Sequence, residues 1–264
     1  MKEIESNRNA WSQISEEHYH TFKARLQQGT HTLNHYIQKE LGDIAGKDII
    51  HLQCNTGADT IALANLGAAH VVGVDLVPEN IDYARRLAAD FGIANVDFYT
   101  ADIMTLAQTY HEKHDIVFTS EGAIGWLPDL KVWAETIRGL LNKTGYMYVF
   151  DSHPFCLTLD ETKLAQDLYE IKYPYFKKTP DLETTIGGYA AEVRGGVEAY
   201  FWVHPVSEII NSLIGAGLRI EFFNEYAENF FNSGGMQRSA KAGLYEYSHN
   251  RDKYPMSFSL KASL

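Results

Sequence analysis

The stretch DIIHLQCNTGADTIALANLGAAHVVGVD, residues 48–75, decides the fold. DIIHLQ and HVVGVD are short apolar runs, and GADTIALANLGA between them reads as a helix. The unit is therefore β-α-β. Downstream the alternation continues with PENIDYARRLAADFG as helix, NVDFYTAD and HDIVFTS as strands, LPDLKVWAETIRGLL as helix and GYMYVFDS as strand. Strands alternating with helices of this length predict a doubly wound α/β fold: a mostly parallel sheet with helices on both faces, because right-handed crossovers place them there.

On the N-terminal side, Trp11, Ile14, Tyr19, Phe22, Leu26, Leu33, Tyr36 and Ile37 recur at roughly helical spacing. This predicts two short amphipathic helices between Ser12 and Glu40. On the C-terminal side the pattern lapses over about 152–196, where Pro, Gly, Tyr and charge mix without a period, and this segment is read as an insertion beside the active site. VEAYFWVH, LRIEFFNEY and YPMSFSLKAS then read as strands and PVSEIINSLIGAG as a helix. At 264 residues and 45% hydrophobic content, a single domain over residues 1–264 is expected.

Lys plus Arg number 23 against 34 Asp plus Glu, and the formal charge of -11 argues against nucleic acid as a partner. Cys54 and Cys156 lack paired spacing, so no disulfide framework or zinc site is expected and a reducing cytoplasm fits. Neither a signal peptide nor a membrane span is expected.

A doubly wound sheet binds ligands outside the carboxyl ends of its strands, so those ends carry the functional reading. The first is the turn Gln53 to Asp59, where backbone N–H groups and a helix start can approach an anionic group. The second is Asp75, with Leu76 after it, spaced from Gly57 as an acid that binds a ribose; the competing reading is an N-cap for the helix at Pro78, and one side chain does not easily do both. The third is Asp102-Ile103, a carboxylate for an adenine amino group with an apolar neighbour for the ring. At the fourth, Ser120-Glu121-Gly122, a polar pair and a glycine can lie against cofactor and substrate; Glu121 is either an acceptor for a positive group or a solvent-facing loop acid.

Residues 48 to 151 resemble the cofactor half of class I S-adenosylmethionine-dependent methyltransferases. In that family the first turn carries a Gly-x-Gly-x-Gly pattern, an acid ends the second strand and an Asp follows the third. Gly57 matches the last glycine, Asp75 the ribose acid and Asp102 the adenine acid. The departures are His51 where an acid usually sits, and Gln53 and Asn55 at the first two glycines, whose side chains are expected to bond the cofactor. Asp59-Thr60 fits a small-molecule subgroup reading HLQCNxGxDT. The resemblance implies a Rossmann-like sheet of seven strands with a C-terminal antiparallel strand, S-adenosyl-L-methionine as cofactor, and a small-molecule acceptor. It places Trp11, Tyr19, Gln53, Asn55, Gly57, Asp59, Asp75, Leu76, Asp102, Ile103, Ser120 and Glu121 around the cofactor, with residues 1–45 as a helical lid. Packing of Trp11 and Tyr19 onto the sheet edge is the competing reading.

A nicotinamide-dependent oxidoreductase is the alternative, against which the broken dinucleotide glycine pattern speaks. A non-catalytic protein that binds S-adenosylmethionine is another. The asparagine-proline-proline-tyrosine motif of amino-group nucleic-acid methylases is absent after the fourth strand. If the acceptor needs a base, Glu121 and His153 are the candidates. His31 and His35 read as a surface pair, Cys54 as a packing residue, and no metal is expected. Tyr173, Tyr175, Phe176, Tyr189, Tyr200, Phe201 and Trp202 form either a substrate cage or a separate cluster under the insertion. A monomer or homodimer in the cytoplasm is expected.

Overall fold

The computed structural model describes residues 2–30, 33–250 and 252–264. Helices α1 (Lys2–Ser12), α2 (Ser15–Gln27) and α3 (His35–Leu41) precede β1 (Asp48–Leu52), α4 (Ala58–Asn65), β2 (His70–Asp75), α5 (Pro78–Asp90), β3 (Val96–Thr100), β4 (His114–Ser120), α6 (Leu130–Leu140) and β5 (Leu141–Ser152). Then follow α7 (Pro154–Leu157), α8 (Glu161–Leu164), β6 (Asp181–Ile186), β7 (Arg194–Phe201), α9 (Val206–Gly215), β8 (Arg219–Tyr226), β9 (Gln237–Arg238), β10 (Tyr245–Glu246) and β11 (Ser257–Ser263).

Seven strands form one sheet in the order β3-β2-β1-β4-β5-β11-β8, with β11 antiparallel to both neighbours and the other pairs parallel. The expected Rossmann-like sheet is thus observed. Period-two alternation sends Ile50, Leu52, Val72, Val74, Val117 and Val149 toward α6 and α9. Ile49, Val71, Ile116, Phe118 and Phe150 face α3 and α4 on the other side. The chain winds from β1 outward to β3, then crosses to β4 on the opposite flank of β1. That reversal opens a crevice at the carboxyl ends of β1 and β4.

Gly57 N-caps α4 with φ of 78°, and a Cβ there would lie 2.8 Å from the Phe98 ring. Gly73 in β2 meets the same ring, at 2.6 Å. Phe98 fills the space that two absent side chains leave, which draws β2, β3 and α4 together.

One expectation is extended and one is corrected. The N-terminal segment holds the two helices expected between Ser12 and Glu40, which are α2 and α3, and ahead of them an unforeseen helix, α1, from Lys2. Its first helix buries Asn7, whose amide exchanges hydrogen bonds with the backbone of Tyr200 at 2.7 and 2.6 Å, so its packed face does not read as apolar. The VEAYFWVH strand lies outside the main sheet: β7 pairs with β6, and the insertion therefore contains half of an ordered ribbon. Among the described residues no helix is long and apolar enough to cross a membrane.

Candidate functional site

After β1 the chain turns with Gln53 at φ 58°, Asn55 at φ 51° and Gly57 at φ 78°. The left-handed conformation favours glycine, and holding Gln53 and Asn55 in it costs on the order of 1 kcal/mol or more each. Their side chains bind what glycine could not. Gln53 Nε2 donates to the Ala123 carbonyl at 2.8 Å, tying this turn to the loop after β4, while its Oε1 is buried with no protein partner. Asn55 Oδ1 accepts from Thr56 N at 2.6 Å and from His18 Nδ1 at 3.1 Å, since a backbone N–H fixes the amide orientation.

Asp75 ends β2 in a buried position. Its carboxylate accepts from Asn55 N at 2.8 Å, Val77 N at 3.0 Å and Asn80 Nδ2 at 3.1 Å. The N-cap of α5 is Val77, without a side-chain bond, so Asp75 is not the cap; it braces the turn and still lines the cavity. Asp102 follows β3 and accepts from Met104 N at 2.9 Å.

At the end of β4, Ser120 Oγ donates to Asp59 Oδ2 at 2.8 Å. His51 Nε2 lies 3.1 Å from the same Oγ, and His51 Nδ1 lies 2.9 Å from Thr60 Oγ1. Glu121 has φ of 43°, and its carboxylate accepts from Asn34 Nδ2 at 2.9 Å and Tyr189 OH at 3.3 Å. Burial first, and the Asp59 carboxylate second, push its pKa up to about 8. Asp151, at the end of β5, holds the loop below by accepting from Gly122 N, Ala123 N and Ile124 N at 2.7, 2.9 and 2.8 Å.

These strand ends enclose one cavity of about 1080 Å³, counted to its open mouth. Gln53, Asn55, Asp59, Asp75, Leu76, Asp102, Ile103, Ser120 and Glu121 all line it, and so does Trp11. The remaining expected site residues do not. Tyr19 is fully buried away from the cavity, its hydroxyl on Asp90 at 2.5 Å and its ring stacked on Tyr83. Gly57 shapes the turn from behind. His153 caps α7 by accepting from Phe155 N, with its Nε2 2.9 Å from the Glu225 carboxylate, and is not a cavity residue. Of the insertion aromatics Tyr189 alone lines the cavity, while Tyr173 packs on Phe201 and Tyr175 on Phe176. Cys54 sits in the turn, and burial pushes its thiol well above the ordinary range, against a nucleophilic role. His31 lies outside the described residues, and among those described no three His, Cys, Asp or Glu side chains gather as metal ligands.

Sequence reasoning missed Ile4, Asn7 and Arg8, which line the cavity beside Trp11. Their i, i+3, i+4, i+7 spacing is the signal of one helix face. It also missed His18, Asn34 and the His51 contacts.

Residues 44–187, more than half of the chain, match the family described as Methyltransferase domain. The ubiquinone biosynthesis O-methyltransferase of Actinobacillus pleuropneumoniae is 28% identical over 117 residues, 43% of this chain and 49% of that protein. An uncharacterized RNA methyltransferase of Caldanaerobacter subterraneus is 36% identical over 81 residues, 31% of this chain and 18% of that protein. The chain thus spans less than half the length of these two curated relatives. Among solved structures, the DhpI-SAM-HEP complex superposes with a TM-score of 0.59 at 17% identity, covering 99% of this chain and 98% of that one. An S-adenosylmethionine-dependent methyltransferase from Mesorhizobium loti gives 0.57 at 16% identity, covering 86% and 95%. Sheet order, turn and sequence match agree, and the chain belongs to the methyltransferase domain family.

Proposed function

We propose that this chain transfers a methyl group from S-adenosyl-L-methionine to a small-molecule acceptor. The observation that carries the reading is the convergence of Asp59, Asp75 and Asp102 on one cavity, beside a buried Gln53 Oε1 that no protein group satisfies. The residues fit the cofactor. Gln53 Oε1 and Asp59 offer acceptors to a charged amino group. A carboxylate has about four lone-pair sites, so Asp75 retains one for a ribose hydroxyl after its three internal bonds. Asp102 would take the adenine amino group between Leu76 and Ile103.

When bound, S-adenosylmethionine supplies a sulfonium methyl group that is already electrophilic. The chain then has to orient the acceptor, exclude water and handle one proton. Trp11, Trp126 and Tyr189 close the cavity with aromatic surface, Trp11 standing edge-on to Trp126 at 5.3 Å. Glu121, oriented by Asn34 and Tyr189, takes the proton of a hydroxyl or amine acceptor at its carboxylate. α1 and α2 serve as part of a lid that orders over the cofactor.

The charge of -11 and the acids in the cavity support a small acceptor over RNA, and the match to an O-methyltransferase of ubiquinone biosynthesis supports it too. We place the protein in the cytoplasm, consistent with two free cysteines, as a monomer or homodimer. Calorimetry tests the cofactor: S-adenosylmethionine is expected to bind in the micromolar range and NAD not at all, and tighter binding of NAD would overturn the reading. Methyl transfer from labelled cofactor into a nucleic-acid-free metabolite extract tests the acceptor class, and label found only in RNA would sink it.

A further inference from the structure

Behind Asp59, the acceptor for the amino group, stands a connected chain of polar side chains whose inner members binding and proton transfer, as described, do not use. It runs from Thr60 through His51 and Ser120 to Asp59. We propose that His51 is a positioning residue: through Ser120 it fixes the Asp59 carboxylate as the acceptor for the cofactor's amino group, an inference that rests on the S-adenosylmethionine reading above.

The direction of each bond follows from donor counting. An ionised carboxylate only accepts, so Ser120 Oγ commits its single hydrogen to Asp59 Oδ2. The 3.1 Å approach of His51 Nε2 to the same oxygen therefore requires the hydrogen on Nε2. Nδ1 is then bare and accepts from Thr60 Oγ1 at 2.9 Å. The ring is neutral and held in one tautomer, and burial keeps its pKa down at about 4, so the same polarity persists across the physiological range. His51 and Thr60 are fully buried, and the ring packs edge-on against Phe118 at 5.0 Å. His51, Ser120 and Asp59 all border the cavity that the unsatisfied Gln53 Oε1 also lines, and of the three Asp59 is the most accessible. A buried, directional chain ending on a half-exposed carboxylate aims that carboxylate and holds it there.

The test compares S-adenosylmethionine with methylthioadenosine, which keeps the nucleoside and sulfur but lacks the amino-acid part, by calorimetry on the full chain. His51→Leu and Ser120→Ala each break the relay, and each is expected to raise the Kd for S-adenosylmethionine by about tenfold, near the low end for a hydrogen bond to a charged group. Binding of methylthioadenosine should stay within about twofold, and His51→Gln, which keeps a donor toward Ser120, should restore most of the affinity. If His51→Leu fails to fold, Ser120→Ala carries the test alone. Unchanged Kd for S-adenosylmethionine in Ser120→Ala, or an equal loss for both ligands, would overturn the assignment while leaving the function reading intact. Failure of the unmodified protein to bind either ligand would overturn the function reading and this inference with it.

Discussion

The floor of the cavity and its cover are built by different rules. The floor is made of strand ends joined across short turns: Gln53 to Ala123, Asn55 to Asp75, and Asp151 to three consecutive N–H groups. Every one of these bonds involves a backbone atom and none is solvent-exposed, so the floor is fixed before any ligand arrives. The cover joins parts of the chain more than 160 residues apart. Asn7 pairs with Tyr200, Thr21 Oγ1 with the Ala190 carbonyl, and Glu17 with both Glu192 N and the Arg194 guanidinium. The N-terminal helices and the β6–β7 ribbon are therefore one cover. Several of its bonds are solvent-exposed, and exposed pairs are individually weak. The comparison teaches that the floor is held by bonds from one strand end to the next, whereas the cover is held by bonds between distant segments and is anchored through α2, whose Tyr19 and Phe22 pack among Ala58, Ile61, Ile81 and Ala84.

Four substitutions or titrations sharpen or break that contrast. The largest effect is expected from Gly57→Val, which meets both a positive φ and the Phe98 ring: a loss of about 3 kcal/mol or more in urea unfolding. Near-normal stability would show that the floor is not rigid. Next, Asp75→Ala removes the acceptor for three internal donors as well as the ribose contact, and should weaken cofactor binding by about 1.5 to 3 kcal/mol by calorimetry while also lowering the melting temperature. A stability loss without a binding loss would leave Asp75 as a brace only. Third, Glu121 must be ionised to accept a proton, so the rate of methyl transfer should rise about tenfold per pH unit up to about pH 8 and level off above it. Glu121→Gln should be slower and flat with pH; an unchanged profile would remove Glu121 as the base. The smallest stability effect belongs to the cover. Arg194→Ala should cost less than about 1 kcal/mol of stability yet speed cofactor release severalfold in stopped flow. A large loss of stability there would mean that cover and floor fold as one.

How much of this was legible in the sequence follows the same division. The floor strands announced themselves because each apolar run ends in an acid or a polar pair, and the sheet places those ends together. Gln53 and Asn55 looked like departures, and their positive φ values show that the conformation glycine would provide is kept without it. The cover was harder to read. α1 hides its packed face behind Asn7, and an aromatic at helical spacing, such as Tyr19, reads the same whether it meets a ligand or a core. His153, a candidate base that follows the fifth strand, turns its ring to Glu225, and a strand-end position in the sequence does not tell which way a side chain points. The relay through His51 could not be seen, since Ser120 lies 69 residues from it and only the pairing of β1 with β4 brings them together.

The place of β11 in the sheet has a consequence for biosynthesis. Its residues are translated after those of every other strand in the sheet, yet it lies between β5 and β8 rather than at an edge. Until residues 257–263 leave the ribosome, both neighbours carry an open edge of unpaired backbone, the arrangement that invites wrong pairing in a nascent chain. Phe258 is the register partner of Asp151, so the carboxylate that organises the loop under the cavity sits beside the strand that arrives last. A ribosome stalled before residue 257 would hold a chain whose cofactor floor is laid out in sequence but has not yet been locked.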